Sequence, residues 1–322
     1  GTSQGIRMKI GFLLFPILVF IGGCCFGPSS ALTKLGYKNG FSFADIVMSQ
    51  YFFGFLFMLV LAGGFFLIQY PKKRANLLKI PSLKAIIMLT LAGISIALVS
   101  TTFMISLQTV PAHISVILLF QYTWMGVILD VIASRKLPNK GTTISVIILI
   151  IATLLAAGAE AGAENLSRLG VFSGILSAIF YTVYIFILGK IDSSISSPSR
   201  SLIVLSIALI TLIVIFSPRY FTSDIIVEAD IWMYGLLLGS FGCALPNFLF
   251  SIATPKISAS MAVILSSSEL PASIICSMII ISERVTWLQW VGIVLLFFGI
   301  SFPYLCDLVV EKRKNFKKSI SV

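Results

Sequence analysis

Ten apolar runs of roughly 17 to 27 residues recur along this chain of 322 residues, each of the length an α-helix needs to cross a bilayer. Hydrocarbon offers no water to bond the backbone, so each run is expected to be helical rather than an isolated strand. The expected spans are Ile10–Leu35, Ala44–Ile68, Ala85–Leu107, Ala112–Ala133, Thr142–Ala159, Leu169–Gly189, Ser201–Ser217, Ile231–Ile252, Ile257–Ile281 and Trp287–Cys306. Composition points the same way: 58% of residues are hydrophobic and 11% charged, against about 25% charged in soluble domains. A soluble core could not hide so much apolar surface. The expected class is therefore an all-α membrane protein.

The first run is longer than a signal-peptide core and no small-residue cleavage site follows it, so it is expected to stay in the mature chain. Residues 1–7, ahead of the first methionine, read as an expression remnant. Residues 307–322 read as a basic cytoplasmic tail.

A net charge of +11 raises the question of nucleic acid, and the placement of the charge answers it. Ten spans put both termini on one side, and 18 of the 23 basic residues fall there; Lys34, Lys38, Arg168, Arg219 and Arg284 lie opposite. This is the positive-inside bias, which predicts cytoplasmic termini in a cell membrane. The surplus is a topology signal, with anionic lipid as a secondary partner, and no nucleic acid is expected. The acidic loop residues Glu160, Glu164, Asp224, Glu228, Asp230 and Glu283 are expected outside.

The five cysteines, Cys24, Cys25, Cys243, Cys276 and Cys306, lie inside apolar spans without C-x-x-C spacing and read as small apolar packing groups. One histidine, His113, makes no metal site, and no zincin, nucleophile-elbow or phosphate-loop motif is present. No metal and no cofactor are expected. At the outer mouth of the fourth span, His113 could gate or sense pH.

The two halves resemble each other. An apolar span ends at Ser134-Arg135-Lys136-Leu137-Pro138 and a new one begins; Ser282-Glu283-Arg284-Val285-Thr286 does the same 148 residues later. The fourth and fifth spans thus correspond to the ninth and tenth, giving a five-helix unit. Five is odd, so the second copy enters the membrane inverted, as in many secondary transporters. The expected units are residues 10–159 and 169–306.

On these residues the chain resembles the drug/metabolite transporter superfamily, specifically its ten-helix EamA type. The stretch from Lys256-Ile257-Ser258-Ala259-Ser260-Met261-Ala262-Val263 through Glu269-Leu270-Pro271 to Ser282-Glu283-Arg284-Val285 is similar to that family's small-residue helix start, mid-helix proline and terminal turn, and Gly292 and Gly299 also fit. The first half departs from the pattern: Thr123 stands for the proline, Arg135 for the turn glutamate, and Gln50, itself a candidate substrate-binding residue, where an arginine is common. The resemblance implies a carrier of amino acids or similar amphipathic metabolites working as an exporter by alternating access. It would act as a monomer or homodimer, with protons as a candidate coupling ion.

Polar groups inside the membrane nominate the site. Glu269 falls mid-span, where an ionised carboxylate costs about 2.5–3.5 kcal/mol on insertion scales, so it should meet a cavity, a partner or a proton. Ser266, Glu269, Ser273 and Ser277 share one helical face. The alternative is a protonated glutamate acting as interhelical glue. Gln121 is the partner of Glu269 at the 148-residue offset, with Trp124 one turn on and Tyr122 beside it, offering amide groups next to aromatic walls; its alternative is also glue. Tyr181 and Tyr184 are candidate walls or packing groups. Asn247 follows Pro246, where a broken helix binds ligand or merely kinks. Gly27-Pro28 and Pro271 are candidate hinges. Lys34, Asp45 and Lys190 read as interfacial anchors, and Asp130 as reaching the interface.

A glutamate beside tryptophan and tyrosine suits an amine or quaternary ammonium compound as well, through charge pairing and cation–π contact, so import or export of an organic cation or nitrogenous cofactor precursor is the second reading. An intramembrane enzyme would need a convergent catalytic constellation that one histidine and scattered serines do not supply. A channel would need a filter loop or charged ring.

Overall fold

The computed structural model describes residues 2–77, 80–110, 112–156, 166–191, 194–216, 219–282 and 284–320. The loop residues Glu160, Glu164 and Glu283 and the side chain of His113 lie outside this description. Within it the elements are helical: α1 (Thr2–Cys25), α2 (Pro28–Lys38), α3 (Phe43–Leu77), α4 (Leu83–Thr109), α5 (Ala112–Leu119), α6 (Tyr122–Ser134), α7 (Lys140–Ala156), α8 (Arg168–Lys190), α9 (Ser197–Phe216), α10 (Arg219–Thr222), α11 (Ala229–Gly239), α12 (Leu245–Ala253), α13 (Ala259–Ser266), α14 (Glu269–Ile280) and α15 (Trp287–Ile320). Eight helical stretches are long and apolar enough to cross a membrane, and α7 and α15 contribute shorter apolar segments, Lys140–Leu155 and Trp287–Pro303.

The surface is apolar. Val60, Leu67, Ile68 and Val214 are each at least 70% exposed, an arrangement that water would penalise and lipid does not. The chain is a multi-pass membrane protein. Small and hydroxylated residues turn inward instead, among them Ser49, Ser106, Ser115, Ser177 and Ser266, because hydrocarbon gives helices no hydrophobic reason to associate and close packing must do so. The Ser106 and Ser115 hydroxyls bond each other at 2.9 Å.

Helix packing has a regular pattern. α4 lies along α8, as α1 lies along α12; α4 packs on α9, as α3 does on α11; α5 meets α8, as α13 meets α1. α3 with α9, α6 with α13, and α7 with α15 pack on each other directly.

Several rods are interrupted. The chain turns at Phe26 and Gly27 between α1 and α2, at Phe120 and Gln121 between α5 and α6, and at Ser267 and Ser268 between α13 and α14. A π-helical turn at Ser240–Ala244 separates α11 from α12. Pro28 begins α2 and Pro246 lies in the first turn of α12, positions where a missing N–H costs nothing. Pro271 follows the break before α14 and cannot donate back to it. Between α5 and α6, the backbone N–H and the Oγ1 of Thr123 both donate to Phe120 O, so one residue closes the turn at the break.

The register corrects one sequence expectation. α5 and α13 are both eight residues long and begin at Ala112 and Ala259; α6 and α14 begin at Tyr122 and Glu269. Both second halves end beside a left-handed residue, Arg135 and Ser282, each at φ 54° and the only positive-φ non-glycines among the described residues. These boundaries are spaced by 147 residues, not 148. Tyr122, rather than Gln121, occupies the station of Glu269, and Trp124, rather than Thr123, that of Pro271.

Asp130 meets the start of α13. Its Oδ2 accepts from Ser260 N at 3.3 Å and Ser260 Oγ at 2.6 Å, which places a carboxylate on the amino end of α13, where the helix dipole favours it. Asp45 Oδ2 accepts from Ser42 N and Oγ, a capping arrangement at the start of α3. Lys190 Nζ lies 5.4 Å from the centre of the Phe186 ring.

Candidate functional site

The interruptions converge. A cavity with about 490 Å³ of empty space, its mouth included, is bounded by Phe26 and Ser29 at the α1/α2 break, Leu119 at the end of α5, Gly242 in the π-turn and Glu269 at the first position of α14. Gln50 from α3, Ser100 and Phe103 from α4, and Tyr181 from α8 complete its principal walls. Each interruption exposes backbone and side chain that a continuous helix would bury in its own cylinder, and such irregular backbone is tolerated at membrane depth only where protein or a cavity receives it.

Close contacts fix the breaks in place. A Cβ on Gly27 would fall 2.7 Å from Ala272 Cβ and 2.8 Å from Ala272 C, so α2 starts against the backbone of α14. Ser30 and Ser273 hydroxyls bond each other at 2.9 Å across the same contact. Ser268 Oγ donates to Phe20 O at 2.7 Å, tying the α13/α14 break to α1. Tyr51 OH reaches Ile96 O at 2.9 Å and Ser100 Oγ at 2.7 Å, which joins α3 to the α4 wall.

Among the described residues, Glu269 is the sole ionisable side chain on the walls apart from the Tyr181 phenol, and no lysine, arginine or histidine lines them. Among the described residues no ion pair or hydrogen bond reaches its carboxylate. Gln50 is 3% exposed; its Nε2 donates to Gly242 O at 2.8 Å, while its Oε1 has no partner. Tyr181 is equally buried and its hydroxyl is also unpartnered. Its ring meets Phe26 edge-on at 6.1 Å and Tyr122 at 4.6 Å, and stacks on Tyr184 at 6.1 Å.

Three of the sequence-nominated residues, Glu269, Gln50 and Tyr181, therefore meet in one cavity. Tyr122, Ser266, Tyr184 and Asn247 form a layer behind it: Tyr122 OH bonds Ser266 Oγ at 3.2 Å, Ser266 Oγ donates to Val263 O at 2.8 Å, and Asn247 Nδ2 donates to Tyr184 OH at 2.9 Å. Asn247 Oδ1 is left without a partner. Gln121 and Trp124 are not brought to the cavity. Trp124 Nε1 donates to Gln121 Oε1 at 2.8 Å and Gln121 Nε2 to Ile117 O at 3.0 Å, so both ends of the amide are used on its own rod, and Trp124 is 37% exposed. The one-residue register difference accounts for this, since it turns Gln121 about 100° from the face that Glu269 presents. Sequence reasoning did not nominate Phe26, Ser29, Thr33, Ser100, Phe103 or Gly242. Ser29 and Thr33 could have been found from Gly27-Pro28, because residues one turn apart after a helix break share a face.

No group of histidine, cysteine and carboxylate side chains able to hold a metal is present among the described residues.

Residues 168–305 match the EamA-like transporter family. The resemblance read from the sequence is thereby shown, through the second half that carries Tyr181, Gly242 and Glu269, and it makes this half similar to small-molecule membrane transporters. A solved crystal structure superposes with a TM-score of 0.68 at 11% identity, over 91% of this chain and 96% of the other. That likeness shows a shared fold across nearly the whole length. No functionally curated protein matches the chain by sequence.

Proposed function

We propose that the protein is a ten-helix secondary transporter of the plasma membrane, built as two inverted five-helix repeats, that moves a small organic solute bearing a cationic nitrogen by alternating access. Glu269 carries this reading: among the described residues it is the one carboxylate on a cavity formed where helices break, with aromatic rings around it and no basic side chain on the walls to neutralise it. A partly desolvated carboxylate without a counter-charge is favourable only with a proton or a cation beside it, and Tyr181, Phe26 and Phe103 supply apolar and π surface for the rest of the solute.

The inverted repeat is supported by the packing pattern. Exchanging each rod with the one five further along the chain turns α4 on α8 into α12 on α1, α4 on α9 into α11 on α3, and α5 on α8 into α13 on α1, while α3/α9 and α7/α15 map onto themselves. The same exchange relates the α5/α6 break to the α13/α14 break. Broken rods that meet at a shared cavity are the parts that a rocking motion needs. Export, cytoplasmic termini and operation as a monomer or homodimer, with protons as the coupling ion, complete the proposal; export rests on the family resemblance and the termini on the basic-residue bias.

An amino acid is the second reading, and the start of α2 favours it. Ser29, in the first turn of that helix, lies on the cavity wall, where the positive end of the helix dipole suits a solute carboxylate.

Uptake into proteoliposomes of labelled phenethylamine, phenylalanine and a nucleoside, with and without a pH gradient, tests the assignment. Saturable uptake of the amine or the amino acid is expected, and Glu269→Gln should abolish it while leaving expression and elution unchanged. Uptake by Glu269→Gln with unaltered kinetics and pH dependence would return Glu269 to a packing role.

A further inference from the structure

Gln50 adds a requirement to the solute. A carbonyl oxygen cannot donate, so the 2.8 Å contact with Gly242 O fixes which end of the amide is nitrogen. Oε1 is consequently the free end, buried on the cavity wall with no partner. Gly242 makes this orientation possible: a Cβ there would lie 3.0 Å from Gln50 Nε2 and 2.9 Å from Ser29 Oγ. The π-turn thus holds the amide in one pose. The Tyr181 hydroxyl, on another residue of the same walls, is likewise buried without a partner. A sealed acceptor without a donor is a standing cost, and both atoms belong to side chains that line the cavity with Glu269.

We infer that Gln50 is a specificity-determining residue that restricts the cavity to ammonium ions carrying at least one N–H, and excludes quaternary ammonium. This rests on the reading of the cavity as a cation site. A primary ammonium on Glu269 has N–H bonds to spare for Gln50 Oε1 and for the lone pairs of the Tyr181 hydroxyl. A trimethylammonium keeps the charge and the π contacts but has nothing to donate, so it seals Oε1 permanently. Sites built to hydrogen-bond a group reject analogues that lack it more strongly than apolar pockets reject a size change.

The test uses the full chain in nanodiscs with phenethylammonium and its N,N,N-trimethyl derivative, matched in charge and aromatic body. The primary ion is expected to bind about tenfold or more tightly, as the loss of one hydrogen bond to a charged group implies. Gln50→Met, similar in shape but without the amide, should bring the ratio towards one. Gly242→Ala, which presses on the amide from behind, should do the same in part, and both variants are checked for single-species elution and melting. Equal binding of the two ions by the parent protein, with both removed by Glu269→Gln, would overturn the role of Gln50 and leave the cation site standing. An undiminished ratio in Gln50→Met would also overturn it. Binding of neither ion would overturn the cation site and the inference together.

Discussion

Two tyrosines of one aromatic cluster should respond oppositely to loss of a hydroxyl. Tyr122 donates to Ser266 Oγ at 3.2 Å, since the Ser266 proton is already used on Val263 O, and Tyr122→Phe should lower stability by about 1 kcal/mol. Tyr181 has a buried hydroxyl with no partner. Tyr181→Phe keeps the ring contacts and should leave stability unchanged or raise it by up to about 1 kcal/mol, while weakening phenethylammonium binding. Melting curves of both variants in one detergent decide the matter, and a larger loss for Tyr181→Phe would contradict this assignment of partners. The same contrast marks what was legible in the sequence. Glu269, Gln50 and Tyr181 were visible because a carboxylate, an amide and a phenol are conspicuous in apolar helices. Ser100 and Thr33 were not, because hydroxyls in such helices ordinarily bond their own backbone, as Thr101 does to Ala97 O at 2.9 Å, and only the fold says which ones face a cavity.

Glycines separate space from conformation at the scale of the helix. Gly27 has ordinary helical angles, φ −51° and ψ −47°, so what it supplies is room: an added Cβ would press on the Ala272 backbone. Gly27→Ala should cost about 1–3 kcal/mol through overpacking of α2 on α14. Gly63, within α3, has nothing within 4 Å of an added Cβ, and Gly63→Ala should stabilise by about 0.5–1 kcal/mol through helix propensity. Thermal denaturation of the two variants beside the parent should therefore move in opposite directions, and a shared direction would mean that α2 can slide away from α14 at little cost. Helix lengths were readable from apolar runs because the bilayer sets them. Of the breaks, Gly27-Pro28 was marked by its residues, whereas Phe120-Gln121 carries neither glycine nor proline and becomes visible only in the backbone.

For the molecule as a whole, the charge bias and the packing pattern make one joint demand. Basic residues crowd the side assigned to the cytoplasm, while in the proposed inverted repeat α3/α9 and α7/α15 pack as counterparts and equivalent loops of the two halves would face opposite compartments. Arg135 and Ser282 illustrate it: both follow the end of a second half-helix at φ 54°, and an inverted repeat puts the first inside and the second outside. The spacing of such turns was legible in the sequence to within one residue, but that residue decided whether Gln121 or Tyr122 stands opposite Glu269, because each step along a helix rotates a side chain by about 100°. Single cysteines at Lys140 and Lys256, both exposed, should react with an impermeant maleimide only after the membrane is opened. Cysteines at Lys38 and Glu228, also exposed, should react in intact cells. The background requires replacement of all five native cysteines, and Cys243, whose Sγ lies 2.6 Å from where a Cβ on Gly54 would be, is best replaced by alanine. Labelling of Lys140 in intact cells would reverse the orientation. Labelling of Lys140 and Glu228 from the same side would break the inverted repeat itself, since an odd number of crossings must separate them.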